Sequence, residues 1–220
     1  MAIVKFNAAI DSMSGKSGGG NYARTPYGTE FKNNPAFHKP ATPAQIAQRA
    51  RVTKAGAAFR ALTAAQNAEW QAYAYTRFVK STNGAMVHPS AYAAYVGLYT
   101  KYLQVNPTGA ALADPPAASF GGDSITLTMT GISGSIQFTA SAKNTVGVTT
   151  EFLLQPLANL YRKPQSGAYV SHGFFAFPTT PLTRSVAVTP GVYAVAYRFV
   201  NAATGQEVAK AFLGVINVSL

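Results

Sequence analysis

The residues with the clearest chemical potential are Ser14-Gly15-Lys16-Ser17, three histidines, seven carboxylates and a crowd of lysines and arginines toward the N-terminus. Gly15-Lys16-Ser17 has the ending of a phosphate-binding loop, in which backbone N–H groups and a lysine cradle phosphates. Such a loop needs a glycine five positions before its second glycine, where this chain has Ile10, and a helix directly afterwards. Here Gly18-Gly19-Gly20 follows, then Asn21-Tyr22-Ala23-Arg24. The stretch therefore reads as a turn or a place of close backbone packing. A hydrolytic centre needs a nucleophile, a base and an orienting group brought together. His38 lies alone in a proline-rich stretch, His88 precedes Pro89, and His172 stands between Ser171 and Gly173. The carboxylates form no pair at short helical or alternate-strand spacing, and no His/Asp/Glu set has metal-ligand spacing. With no cysteine there is no thiol nucleophile, thiolate ligand or disulfide framework. The expectation is a protein that is not an enzyme and takes no cofactor or metal.

The cations point instead to binding. The net charge is +11, and residues 1–105 hold 12 of the 18 Lys/Arg against Asp11, Glu30 and Glu69, leaving +9. Residues 106–220 hold the other 6 against 4 carboxylates, leaving +2. A basic half suits an acidic partner: nucleic acid, an acidic protein surface or an anionic lipid face. The apolar fraction of 48% suffices for a packed core within 220 residues, which leaves room for one large domain or two small ones. No signal peptide is read at the N-terminus, and no apolar run approaches the ~20 residues needed to span a bilayer.

The elements that would position these groups are well marked. Thr42-Pro43-Ala44-Gln45 carries a capping hydroxyl, a proline suited to the first helical position and a capping-box partner. Thr63-Ala64-Ala65-Gln66 repeats the box. A helix to about Ala61 is expected, then a second with Trp70, Tyr73, Ala74 and Phe78 on one aromatic face. Trp70 is the only tryptophan and suits the core of the helical unit, or an exposed docking position. Ser81 to Val87 reads as a loop with a turn at Asn83-Gly84, and Pro89 opens a third helix to about Val105. That helix carries Tyr92, Tyr95, Tyr99 and Tyr102, either as a packed face or as a stacking platform for single-stranded nucleic acid.

Residues 1–41 form an extended basic arm with a short strand near its start and a hairpin over Tyr22 to Lys32 around Pro26-Tyr27-Gly28. Asn33 to Pro40 is extended, because its prolines exclude a helix. The helical unit is placed at 42–105, a Pro/Ala/Gly linker at 106–119 and a β-domain at 120–220. Period-two alternation beyond the linker gives seven strands: 124–130, 135–142, 148–155, 168–175, 183–189, 191–200 and 208–219. Seven short strands in about a hundred residues indicate an immunoglobulin-like sandwich. The fold class is α+β: an extended arm and small helical unit, then an antiparallel Ig-like β-sandwich. The run Thr189-Pro190-Gly191-Val192-Tyr193-Ala194-Val195-Ala196-Tyr197 resembles the penultimate strand of a fibronectin type III domain, with Tyr193 matching that fold's tyrosine near the strand start. The sandwich departs from that pattern in having no tryptophan.

A second resemblance runs through the first seventy residues. Gly15-Lys16-x-Gly18-Gly19, Tyr22-x-Arg24, Asn34-Pro35, Thr42-Pro43-Ala44-Gln45 with Gln48-Arg49, Leu62-Thr63-x-x-Gln66 and Glu69-Trp70 form an ordered series. It resembles a group of proteins encoded by tailed bacteriophages and prophages, with a glycine-rich arm, two such helices and a C-terminal β-sandwich. Ser17 stands where that group usually has valine, and Asn34-Pro35 lies farther from the helix start. The resemblance brings no catalytic residues. It implies a structural protein of the virion, made in the host cytoplasm and associated with the capsid as a decoration, minor capsid or connector component. Its implied partners are other virion proteins and copies of itself; nucleic acid is a further candidate, and no membrane partner is expected. Arg24, Lys32, Lys39, Arg49, Arg51, Lys54 and Arg60 are the candidate charged anchors, with Tyr22, Phe31 and Phe37 as apolar contacts of the arm. An alternative reading is a carbohydrate- or host-surface-binding module in which Tyr161, Tyr169, Phe174, Phe175 and Phe177 stack on sugars. A third is nucleic-acid binding by the basic half.

Overall fold

The computed structural model describes residues 2–4, 14–17, 20–25, 28–33, 40–81 and 84–219. Residues Met1–Ile46 and Ala47–Leu220 form two compact units. In the first, the expected hairpin is the centre of a four-stranded antiparallel sheet. Its strands are β1 (Ala2–Val4), β2 (Gly15–Ser17), β3 (Gly20–Thr25) and β4 (Gly28–Asn33), in the order β1-β4-β3-β2. Lys16 and Ser17 lie in β2, paired with Asn21 and Gly20 of β3, so they belong to a strand rather than to a loop that opens a helix. Pro26, Tyr27, His38 and most of the extended stretch before the first helix lie outside the described residues.

Three helices follow: α1 (Pro43–Arg60), α2 (Ala64–Tyr75) and α3 (Ala91–Val105). Both capping boxes form. The Gln45 N–H donates to Thr42 Oγ1 at 3.3 Å while the Thr42 N–H donates to Gln45 Oε1 at 3.0 Å, and Thr63 and Gln66 do the same for α2. Ser90 caps α3 by accepting from the Ala93 N–H at 3.1 Å. Trp70 is fully buried, and its indole N–H donates to the Ala113 carbonyl at 3.1 Å. Around it pack Tyr95 at 4.9 Å, edge-on, with Ala55, Leu98, Tyr99 and Leu103 completing the cluster. The tyrosine stripe is thus mostly core: Tyr95 and Tyr99 are buried, and Tyr92 is exposed.

Two expectations need correction here. α2 stops at Tyr75, where the Thr76 N–H turns back to the Tyr73 and Ala74 carbonyls, so Phe78 lies beyond the helix and is exposed rather than on its packed face. The stretch read as a loop contains a small hairpin, β5 (Val79–Lys80) with β6 (Met86–Val87). Asn83 lies outside the described residues.

All seven sandwich strands are present: β7 (Leu127–Ile132), β8 (Ser135–Ala140), β9 (Val148–Leu157), β10 (Val170–Phe175), β11 (Thr183–Ala187), β12 (Gly191–Asn201) and β13 (Ala211–Val218). They form a three-stranded sheet β11-β8-β7 and a four-stranded sheet β10-β9-β12-β13, antiparallel throughout. Ile136, Phe138, Phe152, Leu154, Val195 and Phe199 fill the space between them. Phe152 on the third strand stacks on Phe138 at 4.2 Å and occupies the layer where immunoglobulin domains place a tryptophan. The Tyr193 hydroxyl donates to the Thr189 carbonyl at 2.8 Å, closing the tyrosine corner expected of this sandwich. β8 alternates half-buried and buried residues, whereas β9 is buried almost continuously from Thr150 to Gln155. The reason is that β9 is covered twice: Phe152 and Leu154 face the sandwich core, and Glu151 on the opposite face meets Lys101 of α3.

Candidate partner-binding surface

The sequence candidates fall into two sets. Tyr22 of β3 and Phe31 of β4 are cross-strand neighbours with ring centroids 4.9 Å apart, both half-buried. A Cβ on Gly20 would lie 2.0 Å from the Phe31 ring, so the last glycine of the glycine-rich run is the seat of that aromatic. Arg24 is exposed on β3. Lys32 is half-exposed and paired with Glu30 at 3.1 Å, an ion pair that holds its charge against its own strand. Phe37 and Lys39 lie outside the described residues.

The other set lies along α1. Arg49, Lys54 and Arg60 are exposed, and Arg51 is partly buried with its guanidinium donating to Gln48 Oε1 at 2.8 Å. Lys54 reaches the Gly109 carbonyl at 3.4 Å, so it also pins the segment after α3. Arg60 in the last turn complements the helix dipole. α1 itself is the least packed helix. It buries only Ala55 and Gly56, and every residue from Pro43 to Ala50 is exposed. Isolated helices of this length are marginal in water, and most draw their stability from packing an apolar stripe.

A group of charges that sequence spacing did not single out joins α3 to the sandwich. Lys101 Nζ donates to both oxygens of Glu151 at 3.2 and 3.1 Å, and Arg198 Nε donates to the same carboxylate at 2.5 Å. Glu207 completes the square, 3.3 Å from Lys101 and 2.7 Å from Arg198. Burial alone would raise the Glu151 pKa. The Arg198 hydrogen bond, the Lys101 charge and a hydrogen bond from Ser171 outweigh it, and the group rests below the ordinary carboxylate range. The one available signal was a lone glutamate in mid-strand, directly before Phe152-Leu153-Leu154. Nearby, the Asn106 side chain donates to the Ala202 carbonyl at 2.6 Å, and Gln206 donates to the Ala118 carbonyl at 3.0 Å. The stretch between α3 and β7 has no regular element, yet Gly109, Ala113 and Ala118 are each held by a side chain.

The aromatic set on the sandwich does not converge. Phe177 is in the core, Phe175 packs against it under Arg184 at 4.9 Å, and Tyr169 lies beneath Lys210 at 4.6 Å. Phe174 lies 5.5 Å from Lys101, while Tyr161 is 94% exposed. Burial and then the neighbouring Tyr99 push the Tyr95 phenol up to about 12, and its hydroxyl has no partner among the described residues. His88 Nδ1 bonds the Arg77 carbonyl at 2.8 Å, and desolvation lowers the His172 pKa. Among the described residues no three His, Asp or Glu side chains gather to hold a metal. No described helix is long and apolar enough to cross a membrane.

No protein family matches the sequence, and no curated protein matches it. A solved structure of the entomopoxvirus protein fusolin, which crystallises in vivo into viral spindles, aligns with 82% of this chain at 11% identity and a TM-score of 0.28. The alignment spans 66% of that chain. A likeness at this TM-score carries no argument about fold or role.

Proposed function

We propose that the chain is a structural protein of a bacteriophage virion, associated with the capsid and held to neighbouring subunits by its basic arm and helices. The observation that carries this reading is α1. Its first two turns, Pro43 to Ala50, are helical and exposed and carry Arg49, with Arg51 just beyond, a helix formed ahead of whatever covers it. The ordered series from Gly15 to Trp70 supplies the phage association. Two competing readings lose support from the packing. The tyrosines that nucleic acid would stack on are core residues at Tyr95 and Tyr99, and Phe177 of the sugar-binding set is buried.

The test is the mass in solution, by light scattering across salt, of the full chain beside a truncated chain that begins at Ala41. The expected result is a full-length oligomer that becomes a monomer without the arm. Mass spectrometry of purified particles then checks placement, and absence of the chain from particles sinks the reading.

A further inference from the structure

The end of α2, the β5–β6 hairpin and the start of α3 leave an aromatic face uncovered. Tyr75, Phe78 and Met86 are 62%, 60% and 60% exposed, and Val79, Val87 and Tyr92 are also exposed. A single exposed apolar side chain needs no explanation, but a contiguous group marks an interaction site. These are contiguous. The His88 ring lies 5.7 Å from Tyr75 and 4.3 Å from Phe78. Val79 faces Val87 across the hairpin, and Lys80 faces Met86. Tyr75, His88 and Tyr92 border a groove of about 490 Å³. β5 and β6 pair with no third strand among the described residues, so the hairpin offers edges to an incoming strand.

The charges nearest the exposed aromatic side chains are cations. Lys80 is exposed on β5. Arg77, beside Phe78, is turned to Tyr73 and donates to its hydroxyl at 2.8 Å. Arg60 reaches the same side of α1 as Tyr92: a Cβ on Gly56 would lie 3.2 Å from the Tyr92 hydroxyl and 4.0 Å from Arg60 Nη1. From Pro43 to Val105 the only carboxylate is Glu69, two turns up α2 from Tyr75, and Glu207, which borders a pocket with Arg77 and Val79, is already paired with Lys101 and Arg198. A second copy docking on this face about a two-fold axis would bring the Arg60 and Lys80 cations of one copy toward those of the other. We infer that the face docks an acidic segment of a different polypeptide, extended along the hairpin, with apolar side chains packing on Tyr75, Phe78 and Met86 and Asp or Glu side chains between them meeting Arg60 and Lys80. This deepens the virion reading, on which it rests for the presence of such a neighbour.

The test uses the full chain and three fluorescein-labelled synthetic peptides: Glu alternating with Leu and Phe, the same with Lys for Glu, and Glu alternating with Ser. Fluorescence anisotropy is expected to show the first binding about tenfold tighter than either control. Phe78→Ser, Met86→Ser and Lys80→Glu each weaken it about fivefold or more, while Lys163→Glu, at an exposed position of the sandwich, leaves it unchanged. Circular dichroism verifies that the variants fold, as their exposed side chains predict. Equal binding of the three peptides, or binding indifferent to Phe78 and Met86, overturns the inference. So does a DNA oligonucleotide that binds through the same three residues and displaces the peptide. The virion reading fails separately: a chain absent from particles that still binds the acidic peptide through Phe78 loses its placement and keeps its docking face.

Discussion

Glu151 has no contact with solvent, although it is charged and sits in mid-strand. Two cations from different elements make that tolerable, Lys101 from α3 and Arg198 from β12. Removing one partner of a buried pair leaves the other charge stranded, at about 3–5 kcal/mol. Glu151→Gln should therefore lower stability by about 3 kcal/mol in urea unfolding, the lower end because Glu207 stays 3.3 Å from Lys101. The double substitution Lys101→Met with Glu151→Leu should cost far less. The pH dependence has a definite sign. The folded-state pKa of Glu151 lies below its ordinary 4.5, so its contribution is complete above that value and lost as the pH falls through the depressed one. Asp123 is depressed too. Burial would raise it, but hydrogen bonds from the Thr145 N–H, the Asn144 amide and the Ser124 N–H outweigh that. The readout is hence a difference: between about pH 5 and 3, wild type should lose stability faster than the double variant. Beyond a glutamate in mid-strand, none of this was legible in the sequence. Lys101 counts there as one more cation of the basic half, and its partner Glu151, fifty residues on, shows no local periodicity with it.

At the scale of elements the sequence was far more legible. Both capping boxes, three helices and seven strands followed from local spacing, because a cap or an alternating face is written within a few residues. What escaped was short or tertiary in origin. β5 and β6 have two residues each, too few for alternation to register, and α2 stops where the chain turns back rather than at a glycine or proline. Of the candidate surface, the exposed cations of α1 could be read as helical positions. The face around Phe78 could not, since Phe78 sits at helical spacing from Trp70 and looks like a packed residue. The docking of the last hairpin on α3 was likewise hidden in one glycine. Gly205 has φ +73°, and a Cβ there would lie 2.2 Å from the Leu98 carbonyl oxygen and 2.8 Å from the Tyr102 nitrogen. Gly205→Ala should cost about 1–3 kcal/mol from backbone conformation alone, with the clash added. Gly167→Ala, where a Cβ meets nothing and φ is ordinary, is the neutral control in thermal unfolding.

Within Ala47–Leu220, helices and sandwich are tied at several places. The charge cluster, the Asn106–Ala202 bond and the Gly205 contact cross from one layer to the other, and the Gln206–Ala118 bond holds the connecting stretch to the last hairpin. Trp70, the chain's only tryptophan, reports on the helices, whereas far-ultraviolet circular dichroism is sensitive to the strands as well. Thermal melts followed by the two signals should coincide. A tryptophan transition that comes first would mean that the helical layer melts on its own. These ties also fix where tension would travel. Glu151 and Arg198 belong to β9 and β12, the two inner strands of the four-stranded sheet. A neighbour pulling on α1 pulls through Phe59 on Tyr95, and through α3 on those inner strands. The load enters where each strand is flanked on both sides and must be sheared, not at an edge from which strands could be peeled one by one.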